Sequence, residues 1–367
     1  PPPARPPVTP AADLALSGRG AGDRGFLILF GFIVIVTLCA LGFVLASLFL
    51  RWRNNRVARR WAGLEARWDP VMLDVLAGAA PAAALHALVR PPDHRWFVEF
   101  LLRYGRRIRG HERDVLSQLA APYLYAVSGD LRHRSVERRA QAVQAIGQLG
   151  RAAYRAELVT ALEDPAPIVV VIAAVALSRE YRADDVRQVI KSVNRLELLT
   201  NRLLVSVLRR LGSESAWAFR EVLGDSTQSA KLRTVAAKVL AHFNDQESGP
   251  FAVEAVDQTD DLDLRVAALQ ILERIGVAEH LPVVRRLAQD PAPAVRGAAI
   301  RILARVGEEQ DLQRLVTALD DPVSWVAIHA AEGLRQSGRT DLLEQVAAAH
   351  RRRSSIIVSE VLFRDAG

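Results

Sequence analysis

The sequence has one cysteine, Cys39, only three lysines, and aromatic side chains at 6% of its 367 positions. A lone cysteine excludes a disulfide framework and a zinc finger built on thiolates. The eight histidines are scattered, no two of them four residues apart, and no glycine-rich loop leads into a helical pattern. The usual zinc and phosphate-cradle signatures are therefore missing, and no cofactor or metal is expected. There is also no initiating methionine, from which we expect that the start has been trimmed or mis-set. Apolar residues are not scarce: half the chain is hydrophobic and 24% is charged, too hydrophobic for a disordered chain. Arginine outnumbers lysine 45 to three, which points to a GC-rich genome and lets arginine clusters arise by composition alone.

Residues 1–25, rich in proline, glycine and alanine, lack the apolar side chains that offset ordering entropy and read as a disordered tail. Residues 26–50 then run without one charge. As a helix this stretch reaches about 37 Å, against roughly 30 Å of bilayer hydrocarbon, so it spans with some tilt. A signal peptide would carry its positive charge before the apolar run; here the charge follows it. Arg51, Arg53, Arg56, Arg59 and Arg60, with Trp52 and Trp61, form an interface belt without an acid. The positive-inside rule then places the amino terminus outside and everything after residue 50 in the cytoplasm. The expected address is a bacterial inner membrane, crossed once. The preferred reading is that the five arginines only set topology; the alternative is that they also hold anionic headgroups.

From residue 136 a fixed period appears. The fragments AVQAIGQLG, LQILERIG, IRILARVG and AEGLRQSG each close a helical pattern on glycine, and the stops recur at Gly150, Tyr181, Gly212, Asn244, Gly276, Gly307 and Gly338. The intervals are 31 or 32 residues. Glycine or asparagine at such a stop predicts a left-handed helix end, and Tyr181 is the misfit. Eleven residues before the stops, Arg139, Arg233, Arg265 and Arg296 recur, followed by pairs of alanines that let helices approach closely. Fourteen residues after them come Asp164-Pro165, Asp290-Pro291 and Asp321-Pro322, each read as a turn whose proline opens the next helix. The arginines are expected to pair with these aspartates and tie neighbouring units, rather than to form a ligand-binding ladder.

The unit LAQDPAPAVRGAAIRILARVG, residues 287–307, resembles HEAT repeats of the short bacterial type also found in phycobilin lyases. The resemblance covers residues 136–350, about seven units, and implies an all-α fold: a right-handed α-solenoid of helix pairs with an extended binding surface. Units two and three depart from it at Val170-Val171-Ile172 and Asn201-Arg202. Residues 51–135 form a basic juxtamembrane segment and a helical cap with helices at 96–108 and 112–119, and residues 351–367 a terminal tail. Enzymes with this repeat are set aside on their residues. Deoxyhypusine hydroxylase holds iron with repeated His-Glu dipeptides, whereas His111-Glu112 is the one such dipeptide here. Nothing marks a bilin pocket.

The remaining cluster is Arg103, Arg106, Arg107, Arg109 and Arg113, a face for phosphate, a nucleotide second messenger or a partner. The plainer reading is a solvated face pairing with Glu99 and Asp114. The net charge of +7 sits beside the apolar run and in the cap, with +5 over 51–60 and +5 over 103–139, while residues 140–367 sum to −2. This distribution makes nucleic acid an unlikely partner and points to the bilayer. The expected function is a membrane-anchored, non-catalytic scaffold for a protein partner, plausibly an integral membrane enzyme such as a polysaccharide glycosyltransferase. Binding of phosphate, a nucleotide second messenger or nucleic acid through 103–113 is the alternative, and a lyase of the same fold the second.

Overall fold

In the computed structural model the described residues are 14–105, 111–150, 152–179, 182–196, 199–276, 278–348, 358 and 361. They are helical, without a strand among them, and divide into two compact units, 1–96 and 97–367.

The first unit is dominated by α1 (Leu14–Leu76), 63 residues long, against which α2 (Ala82–His86) packs. The helix is longer than its apolar run at both ends. It opens inside the stretch read as a disordered tail, so that reading is corrected for 14–25: helix formers such as Leu14, Ala15 and Leu16 precede the apolar run, and a helix once nucleated propagates cheaply. By length and composition, Phe30–Leu76 is the one helix among the described residues able to cross a membrane. From Phe30 to Leu50 its large side chains are exposed all round. Beyond Arg60 the character changes. Trp61, Leu64, Trp68, Met72 and Val75, spaced three or four apart, are buried, as is Leu85 of α2. Trp68 donates from its indole nitrogen to the Leu88 carbonyl at 3.5 Å.

The second unit opens with α3 (His94–Gly105), which begins at the boundary, then α4 (His111–Ala120) and the single turn α5 (Tyr125–Ser128). Fourteen helices follow in alternation: α6 (Val136–Leu149), α7 (Arg155–Ala161), α8 (Pro167–Leu177), α9 (Ala183–Asn194), α10 (Asn201–Leu208), α11 (Ala216–Gly224) and α12 (Ala230–Phe243). The series continues with α13 (Gly249–Gln258), α14 (Leu262–Ile275), α15 (Leu281–Leu287), α16 (Pro293–Val306), α17 (Leu312–Ala318), α18 (Ser324–Gln336) and α19 (Thr340–Ala348). The even-numbered ones, α6 to α18, are the second helices of the repeat. They stack side by side in chain order, α12 on α14, α14 on α16 and α16 on α18 among them. The paired alanines make this possible: Ala236, Ala237, Ala267, Ala268, Ala298, Ala299, Ala330 and Ala331 are all buried.

The stops behave in two ways. Asn244 and Gly276 take the left-handed conformation, with φ of 53° and 62°, and end α12 and α14 as expected. Gly150 and Gly307 have negative φ, which corrects the expectation there. Glycine is needed at those two for space: a Cβ would collide with the Leu124 side chain at Gly150 and with the Leu303 carbonyl at Gly307. Tyr181 lies outside the described residues. The Asp-Pro turns also differ in detail. The helices begin two residues after the aspartate's proline, at Pro167, Pro293 and Ser324. The aspartate instead accepts from the backbone two residues on, as Asp164 does from Ala166 at 2.8 Å, and so shapes the turn itself.

Candidate interaction surface

Three of the four recurring arginines sit on the aspartate of the next turn, at an interval of 25 residues. Arg139 holds Asp164 with two bonds, 2.7 and 2.9 Å, and Arg296 holds Asp321 with two, 2.8 and 3.0 Å. Arg265 reaches Asp290 with two Nη atoms. Arg296 also donates to the carbonyls of Asp290 and Pro291, at 2.8 and 3.0 Å, so one guanidinium joins two successive turns. The side chains are mostly buried, and their pairing positions each second helix against the next. Burial alone would raise the Asp164 and Asp290 carboxyls. The hydrogen bonds from Arg139 and Arg265, and from the turn amides, overcome it and hold both below the usual carboxylate range. Arg233 is the exception. The slot 25 residues on is Gln258, and Arg233, buried, donates to the Leu223 carbonyl at 3.0 Å instead.

A second set of pairs, not anticipated from the sequence, joins the first helices. Arg155 binds Asp185 with Nε at 3.1 Å from Oδ2, and Arg220 lies 3.7 Å from Asp245 and bonds Glu247. Arg285 grips Asp311 with two bonds, 2.7 and 2.8 Å, and reaches Glu308 at 2.8 Å. Arg285 depresses Asp311 against burial, whereas burial prevails at Asp185 and raises it despite Arg155. The signal in the sequence is the recurrence of polar residues near the start of first helices, Asp185, Ser215, Ser248, His280 and Asp311, spaced 30 to 33 apart, all five of which the structure buries.

The interface belt divides. Arg51, Trp52, Arg53, Arg56 and Arg59 are exposed on α1, with Arg56 over the Trp52 ring at 5.1 Å. Arg60 is exposed too, while Trp61 does not belong with them, which corrects the reading for that residue. Arg60 pairs with Asp93 at 2.9 Å and lies over the Trp96 ring, and Trp61 is buried against Trp96 at 5.5 Å between ring centroids. The helix turns its one-sided apolar face inward from Trp61, which withdraws that side chain from the belt while Arg60 stays half exposed. In the arginine cluster, Arg106, Arg107 and Arg109 lie outside the described residues. Arg103 ends α3 and Arg113 starts α4, so these two stand on different helices.

The second helices also carry a groove of about 500 Å³. It is lined by Arg209 at the end of α10, Lys238 on α12, Arg274 and Glu273 on α14, and Arg301 and Arg305 on α16. Val205 and Ala241 are its only apolar lining residues. Glu273 meets Arg301 at 3.4 Å, while Arg209, Lys238, Arg274 and Arg305 make no ion pair among the described residues. His329 on α18 registers the local field: burial, then the charge of Arg301, pushes its pKa down. The sum of −2 over 140–367 concealed this segregation, and the placement of basicity outside the solenoid is corrected accordingly. The sequence signal was a pair of polar positions four apart on successive second helices: Lys238/His242, Gln270/Arg274 and Arg301/Arg305. Among the described residues, no three His, Cys, Asp or Glu gather as metal ligands.

Residues 249–335 match the family profile described as HEAT repeats. These residues are similar to HEAT repeats, and the second helices before and after them stack in the same order from α6 to α18 as an α-solenoid, preceded in the chain by an apolar amino-terminal helix. No curated protein matches the chain. Among solved structures, Kap121p bound to Pho4p is similar at 13% identity with a TM-score of 0.40, over 79% of this chain and 42% of that one. Human deoxyhypusine hydroxylase in complex with glycerol is similar at 16% and 0.31, over 76% and 98%. The complex of CpcE and CpcF of phycocyanin lyase from Nostoc sp. PCC7120 is similar at 16% and 0.30, over 65% and 92%. The chain spans less than half of the Kap121p chains it matches.

Proposed function

We propose that this protein is a membrane-anchored scaffold whose HEAT solenoid docks a protein partner at the cytoplasmic face of a bacterial inner membrane. The observation that carries the reading is the joining, in one chain, of a helix exposed and apolar from Phe30 to Leu50 with a row of second helices locked unit to unit by Arg–Asp pairs. An exposed apolar helix of this length is costly in water and at home in lipid. A stack of repeats held in fixed register offers a continuous surface without chemistry of its own. Arg51, Arg53, Arg56 and Arg59 follow the apolar run with no acid among them, which favours an amino terminus outside and a solenoid inside.

The anchor confines the solenoid to a thin layer beside the bilayer, raising its effective concentration toward anything in the same membrane. The favoured partner is therefore an integral membrane enzyme, of which a polysaccharide-synthesising glycosyltransferase is one kind. Affinity purification of the full chain in mild detergent is expected to recover integral membrane proteins. Recovery of soluble proteins alone overturns the reading, as does release of the chain from membranes by alkaline carbonate.

A further inference from the structure

The charge of the groove is not used by the scaffold that carries it. In the turns of the repeat, arginine finds a carboxylate; in the groove, Arg209, Lys238, Arg274 and Arg305 find none among the described residues, and the single acid, Glu273, is taken by Arg301. Placement at a helix carboxyl end accounts for tolerance of Arg274 and Arg305, since the helix dipole favours a cation in the last turn. It does not account for Lys238 and Arg301, one turn earlier on their helices. Like charges gathered without compensation repel one another, and an incoming anion relieves that repulsion.

The shape of the array selects among anions. Its cations come from four helices standing side by side, so they recur at one helix spacing, about 8–10 Å. A polypeptide in the polyproline II conformation advances about 3.1 Å per residue with three residues per turn, so a segment laid across the row returns every third side chain to the same face, about 9 Å on, and to a fresh cation. A free phosphate is too small to meet more than one or two of these helices. The near absence of apolar lining argues against a docked hydrophobic face.

We propose that the groove formed by Arg209, Lys238, Arg274, Arg301 and Arg305 binds an extended acidic segment of a partner protein in the polyproline II conformation, with Asp or Glu at about every third position. This deepens the scaffold reading above and rests on it, naming the chemistry by which the partner is held.

The test uses the full chain in mild detergent and a fluorescent peptide of roughly 12 residues, long enough to cross four helices, with Glu at every third position and Pro and Ser between. Fluorescence anisotropy is expected to report binding that weakens steeply with added salt. In the double variant Arg274→Gln/Arg305→Gln the affinity is expected to fall about tenfold or more. Lys238→Gln weakens it by a smaller factor and serves if the double variant does not fold. Arg187→Gln, an exposed arginine stacked on Trp217 outside the groove, is expected to leave binding unchanged. No binding by the wild type, equal binding by the double variant, or equal affinity for a peptide of the same composition with its Glu contiguous overturns the proposal. So does displacement of the peptide by inorganic pyrophosphate at equal concentration. Repeating the detergent purification with the double variant separates the two ideas. Unchanged recovery of membrane proteins defeats the groove and leaves the scaffold standing, whereas no recovery by the wild type defeats the scaffold alone.

Discussion

Arg296 and Arg305 lie on the same helix, nine residues apart, in opposite electrostatic situations. Arg296, at the start of α16, is mostly buried and gives its donors to Asp321 and to two turn carbonyls. Arg305, in the last turn, is exposed and has no carboxylate. The same division holds on α14 between Arg265 and Arg274. The repeat thus sorts one residue type by position: arginine at the front of a second helix builds the stack, and arginine at its back is left for something outside the chain.

The comparison can be broken in order of expected effect. Acid should act most strongly, because it reaches several pairs together. Asp164, Asp290 and Asp311 are held below the usual range, so each contributes stability above its unfolded value near pH 4, lost as pH falls through its lower folded value. Helical circular dichroism of the detergent-solubilised chain is expected to hold down to about pH 4 and to decline below it. Asp185 has the opposite sign: its raised value means that its contribution is present below the unfolded value and fades as pH rises through the folded one.

Among single substitutions, Asp311→Asn should cost most, about 3 kcal/mol, because it removes the charge paired with Arg285 and leaves one amide oxygen to serve both Arg285 and the Glu308 amide. Thermal unfolding of the purified chain measures it, and a cost no larger than that of Asp185→Asn would contradict the opposite directions found for these two carboxyls. Asp290→Asn should cost about 1–2 kcal/mol, since Arg296 still holds the turn through its carbonyl. Gln258→Asp restores the carboxylate missing opposite Arg233 and is expected to stabilise by about 0.5–1 kcal/mol; no gain would show that the 25-residue pairing does not extend to this unit. Arg274→Gln should leave the unfolding midpoint unchanged within about 0.5 kcal/mol. A larger loss would make it a structural arginine and erase the contrast.

A second contrast runs along α1. Up to Leu50 its apolar residues face every direction, and from Trp61 to Val75 they face one. The first pattern was legible as an uncharged run. The second lay in the spacing 61, 64, 68, 72, 75, and it decides why Trp61 is buried while Trp52 is exposed.

The repeat was readable because its marks are local. A stop, an arginine and an Asp-Pro turn recur in one register, and each reflects a backbone or packing demand met within one unit. The 25-residue pairing was nearly legible too, down to Gln258, where the missing acid can be read directly and Arg233 turns to a carbonyl. The stops were half legible: sequence names Gly150 and Gly307, but whether glycine serves a left-handed φ or a close approach depends on Leu124 and on the Leu303 carbonyl.

By itself, then, the sequence determined the helical class, the 31-residue repeat, the uncharged run and the basic stretch after it, because periodicity and charge order are properties of the chain. Tertiary structure decided which arginines are spent on aspartates and which are left over. Net charge adds residues without regard to place, and −2 over residues 140–367 holds both the neutralised turns and an uncompensated groove. Only the stacking of α10, α12, α14 and α16 brings residues 209, 238, 274, 301 and 305 to one surface, and electrostatics depends on that distance.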